Sequence, residues 1–148
     1  MANGERPYNP AMAEPITLTP DAERALQEAQ NFCWQTNVGI VGPEHLLAGC
    51  LKVLGMGGLV GVPDEAKVQE AILLSQGSGD SALTQNVMFG SAAREAINFT
   101  ARLVREAGGG EIDTPTLTYG IIQSGEVGPM FYGALGVGKA ELVELLGG

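Results

Sequence analysis

The sequence predicts an all-α protein built from one helical unit used twice. Residues 19–51 and 90–122 align without a gap at a constant offset of 71. Ala22, Ala25, Leu26, Ala29, Phe32 and Cys33 fall on Ala93, Ala96, Ile97, Thr100, Leu103 and Val104. Leu46, Gly49 and Leu51 fall on Leu117, Gly120 and Ile122. Identity between the copies is low, but the apolar positions coincide. So long a period in so few copies points to a duplicated unit packed on its twin rather than to a solenoid. The apolar residues also recur at helical spacing, and no segment alternates long enough to make a sheet.

Each element has a local reason. Residues 1–15 carry three prolines and no periodicity, and read as a flexible N-terminal arm. Thr19-Pro20-Asp21 is a helix start, with a hydroxyl for the N-cap, proline at the first turn and a carboxylate at the positive helix end. The stripe from Ala22 to Cys33 then predicts an amphipathic helix of about four turns, ended by Asn37 and Gly39. Ile40-Val41 is a short apolar bridge. Gly42-Pro43-Glu44-His45 opens a second helix, Leu46 to Leu54, apolar on most sides and therefore buried. Residues 55–63 form a glycine-rich turn, and Asp64 to Leu74 a third helix.

The second copy opens at Phe89-Gly90-Ser91. Its long helix runs to Ala107 and stops at Gly108-Gly109-Gly110. Asp113-Thr114-Pro115 starts its second buried helix, and two short helices follow near Val127–Leu135 and Lys139–Leu146. Repeat one spans about 16–77, a linker rich in Ser, Gly, Asp and Gln covers about 78–86, and repeat two spans about 87–148.

The chain has 148 residues and 45% apolar content, enough for one packed interior or two lobes sharing a core. Glycine is high at 22 residues and aromatics low at 5%, which suits close helix–helix contacts. The net charge of −9 argues against a phosphate backbone as ligand and suits a basic or neutral partner. Cys33 and Cys50 both sit in apolar runs and read as buried reduced thiols. The sequence holds no apolar run long enough to span a membrane and no secretory signal, so a cytoplasmic location is the expectation.

Three strings could carry chemistry. Residues 133–139 fit G-x-x-x-x-G-K, but Ala140 stands where a phosphate loop needs a magnesium-binding hydroxyl. No strand precedes the string, so it reads as a helix C-cap at Gly136 followed by a new helix. His45 is the single histidine and has no partners at metal-ligand spacing, and no nucleophile-elbow sequence flanks any serine. No metal, cofactor or catalytic residue is expected, and a local hydrogen bond is the role for His45. Glu44 has two readings: a favourable charge at a helix N-terminus, or a carboxylate offered to a guanidinium or ammonium ligand. Its counterpart is Pro115, and the counterpart of Thr19 is Gly90, so both polar groups occur in the first copy only.

Leu18-Thr19-Pro20, Ala22, Ala25-Leu26 and Ala29, followed by residues 41–51 (V-G-P-E-H-L-L-A-G-C-L), resemble the repeat of Clp-type unfoldase N-terminal domains. That repeat reads F/L-T-x-x-A and, about twenty residues on, G-T-E-H-I/L-L-x-G-L. Residues 114–122 keep the apolar frame and the glycine, while Ser124-Gly125-Glu126-Val127 and Leu135-Gly136-Val137 resemble the close of the family pattern. The resemblance covers about residues 16–147.

It implies two pseudo-symmetric four-helix repeats in one bundle, with no enzymatic activity. It also implies a protein-binding module that receives substrates or adaptors for an AAA+ unfoldase paired with a protease. The alternative within the same system is a regulatory or structural subunit that docks on the Clp assembly without taking clients. In some ClpC-type members each repeat binds phosphorylated arginine through the Thr of the first helix start and the Glu of G-T-E-H. Carried over residue by residue, these are Thr19 and Glu44. Pro43 departs from the usual Thr, and Gly90 and Pro115 depart at both positions of the second copy. The expectation is one such site, in the first repeat. The ATPase modules are not within this sequence, which is either a stand-alone paralogue or part of a longer polypeptide.

Overall fold

The computed structural model describes residues 17–80, 83 and 87–147. The expected arm over 1–15 and most of the expected linker over 78–86 lie outside the described residues. The described residues hold seven α-helices and two two-residue strands.

Helix α1 spans Pro20–Thr36. Thr19 caps it, its Oγ1 accepting the Ala22 N–H at 3.2 Å, and Asn37 ends it in the left-handed conformation at φ 57°. The face made by Ala22, Ala25, Ala29, Phe32 and Cys33 is buried, as the stripe predicts. Helix α2, Pro43–Met56, is buried on nearly all sides. Helix α3, Glu65–Gln76, starts at Asp64, whose Oδ1 accepts the Lys67 N–H at 2.9 Å. Lys52 on α2 ties the three together, reaching Glu28 of α1 at 2.9 Å and Glu65 of α3 at 3.2 Å.

In the second half, α4 spans Ser91–Glu106, α5 Thr114–Gln123, α6 Pro129–Leu135 and α7 Lys139–Leu145. The helix expected from Val127 begins two residues later because Gly128 is its N-cap and Pro129 its first residue. The phosphate-loop-like string resolves as expected: Gly136 caps α6 in the left-handed conformation and α7 begins at Lys139. The Gly138 N–H, which a phosphate would need, is already held by Glu141 Oε1 at 3.0 Å.

The two halves match element for element except at one place. The counterpart of α6 in the first half is residues 58–64, which form turns and no helix. Gly58 and Gly61 there have φ of 90° and 95°, and Pro63 removes an N–H, so that segment has no helical continuation. The first half thus holds three helices and the second half four, where the resemblance implies four in each.

The halves are locked by a reciprocal exchange of main-chain bonds. Strand β1 (Ile40–Val41) pairs in parallel with β2 (Met88–Phe89), with Val41 opposite Phe89, and Leu18 bridges to Ile112. At the offset of 71, Leu18 corresponds to Phe89 and Val41 to Ile112, so the two pairings are the same pairing seen from either half. The Thr19 N–H donates to the Ile112 carbonyl at 3.0 Å, and the Gly90 N–H donates to the Val41 carbonyl at 3.0 Å. Helix α1 packs on α2 and α4 on α5, while α2 on α5 and α3 on α6 join the halves.

Gly49 and Gly120 occupy equivalent positions where the paired helices cross most closely. A Cβ at Gly49 would collide with the Ala25 carbonyl oxygen and lie 2.9 Å from the Ala29 nitrogen. A Cβ at Gly120 would collide with Thr100 Oγ1 and lie 2.6 Å from its Cβ. The first collision is with backbone and cannot be relieved by a side-chain rotation. Gly49→Ala is therefore expected to cost about 2 kcal/mol or more in urea unfolding. Gly133→Ala in α6, where a Cβ meets nothing within 4 Å, should gain roughly 0.5–1 kcal/mol on helix propensity. Equal effects from the two substitutions would contradict the close crossing.

Candidate binding site

The pseudo-symmetry decides which residues share a site. Thr19 stands at the start of α1, next to Ile112 and hence to the start of α5 in the other half. An open cleft of about 430 Å³ lies there, lined by Thr19 and Asp21 of α1 together with Asp113, Thr114 and Pro115 of the α5 start. Its apolar wall comes from Val53 and Leu54 in the last turns of α2, from Leu59 just beyond it and from Leu145 and Leu146 at the end of α7. Glu44 does not line this cleft.

Glu44 belongs to the equivalent place on the other side of the pseudo-twofold. It is buried, and its Oε2 accepts the Gly128 N–H at 2.8 Å, capping α6 of the second half from α2 of the first. Gly128 corresponds to Gly57 and Glu44 to Pro115, and both Gly57 and Pro115 line the open cleft. On one side a carboxylate bridges the halves. On the other a proline stands in its place, the partner helix is missing, and the cleft is open. The structure therefore does not bring Thr19 and Glu44 together. Thr19 sits with Pro115 across the first interface, and Gly90 sits beside Ile40 and Val41, just ahead of Glu44, across the second.

Around Glu44 the chain buries further polar groups. Burial pushes the Tyr132 phenol up to about 12, aided by the Glu44 charge, and its hydroxyl has no hydrogen-bond partner. His45 is 2% exposed; its Nδ1 accepts the Gly42 N–H at 2.9 Å, and its Nε2 has no partner. This is the local hydrogen bond the sequence suggests. It requires a neutral ring with the proton on Nε2. Burial lowers the His45 pKa from 6.5 to about 4. Burial likewise raises both cysteine thiols to about 12, and both are free and buried, so neither is a nucleophile at neutral pH. Among the described residues no three His, Cys, Asp or Glu side chains gather as a metal site, and no helix is long and apolar enough to cross a membrane.

Sequence reasoning found Thr19 as a cap and Glu44 as a polar outlier in an apolar helix. It missed Asp113 and Thr114 as neighbours of Thr19. Their cap motif was visible, and the Asp113 Oδ1 accepts the Thr116 N–H at 2.9 Å, but nothing local tells which helix start faces which.

Paired helical hairpins related by a pseudo-twofold, with reciprocal strand bridges between helix starts, define the fold of a Clp-type N-terminal domain. Among solved structures the chain is similar to the N-terminal domain of the caseinolytic protease associated chaperone ClpD from Arabidopsis thaliana. The two share 17% sequence identity over 87% of this chain and 94% of that one, with a TM-score of 0.69. No protein-family model matches the sequence. No curated protein matches it either. The likeness is one of fold, and it bears out the all-α Clp N-terminal architecture that the sequence motifs imply.

Two outcomes test this geometry. Glu44→Ala leaves the Gly128 N–H without its buried acceptor and should cost roughly 1–3 kcal/mol, while Glu44→Gln, which keeps an oxygen, should cost less. A free surface carboxylate would show no such order. For His45, the folded state binds the proton less readily than the unfolded chain. Its contribution is full above about pH 6.5 and is lost as the pH falls toward about 4, to a limit of roughly 3 kcal/mol. Urea midpoints between pH 7 and pH 5 should fall in the wild type and flatten in His45→Gln; parallel profiles would refute the burial of a neutral ring.

Proposed function

We propose that this chain is a non-catalytic protein-binding module of a Clp chaperone–protease system, recognising substrates or adaptors for an AAA+ unfoldase. The observation that carries the reading is the likeness of fold to the ClpD N-terminal domain along 87% of the chain. The double repeat over about 16–148 is the unit that binds, and the partner is a protein. The open cleft at the α1 and α5 starts supports this, since it is concave, mostly apolar and edged by a few polar groups. The cytoplasm is the compartment this reading assigns to the chain.

A phosphoarginine site made by Thr19 and Glu44 draws its support from the sequence motif. Against it stand the separate locations of the two residues and the engagement of Glu44 with Gly128. That engagement is also the observation that favours the second reading, a subunit docking on the Clp assembly without taking clients.

Biosensor measurements with the immobilised chain separate these readings. The analytes are a purified Clp-type unfoldase hexamer, a denatured casein and free phosphoarginine. Saturable binding of the casein is expected, with no saturable phosphoarginine binding up to about 1 mM. Binding of the hexamer alone would favour the docking subunit, and binding of none of these proteins would overturn the Clp reading.

A further inference from the structure

We propose that the cleft between the starts of α1 and α5 binds a protein segment that carries an apolar side chain beside an unmodified arginine or lysine. This deepens the protein-binding reading and rests on it only for the statement that the occupant is a protein. The cleft's chemistry is particular to this chain.

The sign of the cleft's charge can be worked out. Two helices start at it, and free helix N-termini favour anions by about half a positive charge each. Both are already satisfied from within: Thr19 Oγ1 takes the Ala22 N–H, and Asp113 Oδ1 takes the Thr116 N–H. Asp21 and Asp113 add two full negative charges at its edge, and no Lys, Arg or His is among the described residues that line it. The balance is negative, in a chain of net charge −9. A phosphoryl group would be repelled, and a guanidinium or ammonium group attracted.

The second observation is Thr114. It is 3% exposed, it stands in the wall of the cleft, and its Oγ1 has no hydrogen-bond partner. A buried hydroxyl left unpaired lowers stability, so valine of nearly the same shape would hold the empty fold better. The same hydroxyl can accept a cation's N–H or donate to a peptide carbonyl. The volume of about 430 Å³ and the wall of Leu54, Leu59 and Leu145 leave room for an apolar side chain as well as the cationic one.

The test is a fluorescence-anisotropy titration of the full chain with three labelled peptides, acetyl-Leu-Leu-X-Leu-amide, where X is arginine, glutamate or phosphoarginine. The arginine peptide is expected to bind about tenfold or more tighter than either of the others, with the margin shrinking as salt is raised. Thr114→Val should raise Tm while weakening the arginine peptide about threefold or more. Asp21→Asn, which removes a charge but no cap, should narrow the preference for arginine over glutamate about threefold. Equal affinity for the three peptides, preference for phosphoarginine, no saturable binding, or a Thr114→Val protein with unchanged affinity would each overturn the proposal. Peptide binding without any Clp partner would retain this inference and remove the Clp reading; Clp docking without peptide binding would do the reverse.

Discussion

The exchange of main-chain hydrogen bonds between the two halves is the constraint on which everything else hangs. Thr19 N–H reaches Ile112, and Gly90 N–H reaches Val41. Each bond fixes the first helix of one half against the second helix of the other. Because the residues just before the helices make these bonds, the helix starts are held by backbone, independent of side-chain identity. The copies could therefore diverge in sequence without losing their relative position. That freedom is visible in the polar residues, which differ at each equivalent pair between 19–51 and 90–122, while the apolar frame and the two crossing glycines are kept.

Close approach of the helices is what gives the frame its rigidity. Ala25 and Ala29 of α1 bring their backbone against Gly49, and Thr100 of α4 lays its side chain against Gly120, so little room remains for a side chain at either glycine. Small residues line these crossings, while leucines, isoleucines and the buried Phe32 and Phe131 fill the rest of the interior. The exchange between halves is completed by Glu44. Its carboxylate is the one long-range side-chain hydrogen bond among the described residues that joins α2 to α6. A carboxylate in an almost wholly apolar helix is costly to bury alone, and the Gly128 N–H together with the positive end of α6 offsets that cost.

The asymmetry between the halves then follows from two local changes. Where the second half has α6, the first has a glycine-rich turn, and where the first half has Glu44, the second has Pro115. Either change would leave a gap, and both fall on the same side of the pseudo-twofold. The result is one cleft, open beside Thr19 and edged by acid groups, and one closed interface sealed by Glu44. The buried neutral His45 belongs to the sealed side, where low polarity disfavours its charged form.

Much of this was legible in the sequence. The helical spacing from Ala22 to Cys33, the cap at Thr19, the helix starts near Asp64 and Asp113 and the prolines at Pro20, Pro43 and Pro115 depend on neighbours within a few residues, so they could be read directly. The constant offset likewise disclosed the duplication, and Glu44 and Thr19 stood out as polar residues without counterparts. What could not be read was the pairing of helix starts across the halves. A sequence records that Thr19 and Glu44 belong to the same copy. It does not record that each faces the other copy's equivalent. That is decided by the parallel bridges Leu18–Ile112 and Val41–Phe89, contacts between residues far apart in the chain whose backbone groups carry no sequence signature. The sequence by itself thus determined the scaffold and its repetition, because helix formation and burial are governed by local spacing. Only the tertiary structure decided which polar residues share a cleft, because that depends on the way two complete units dock.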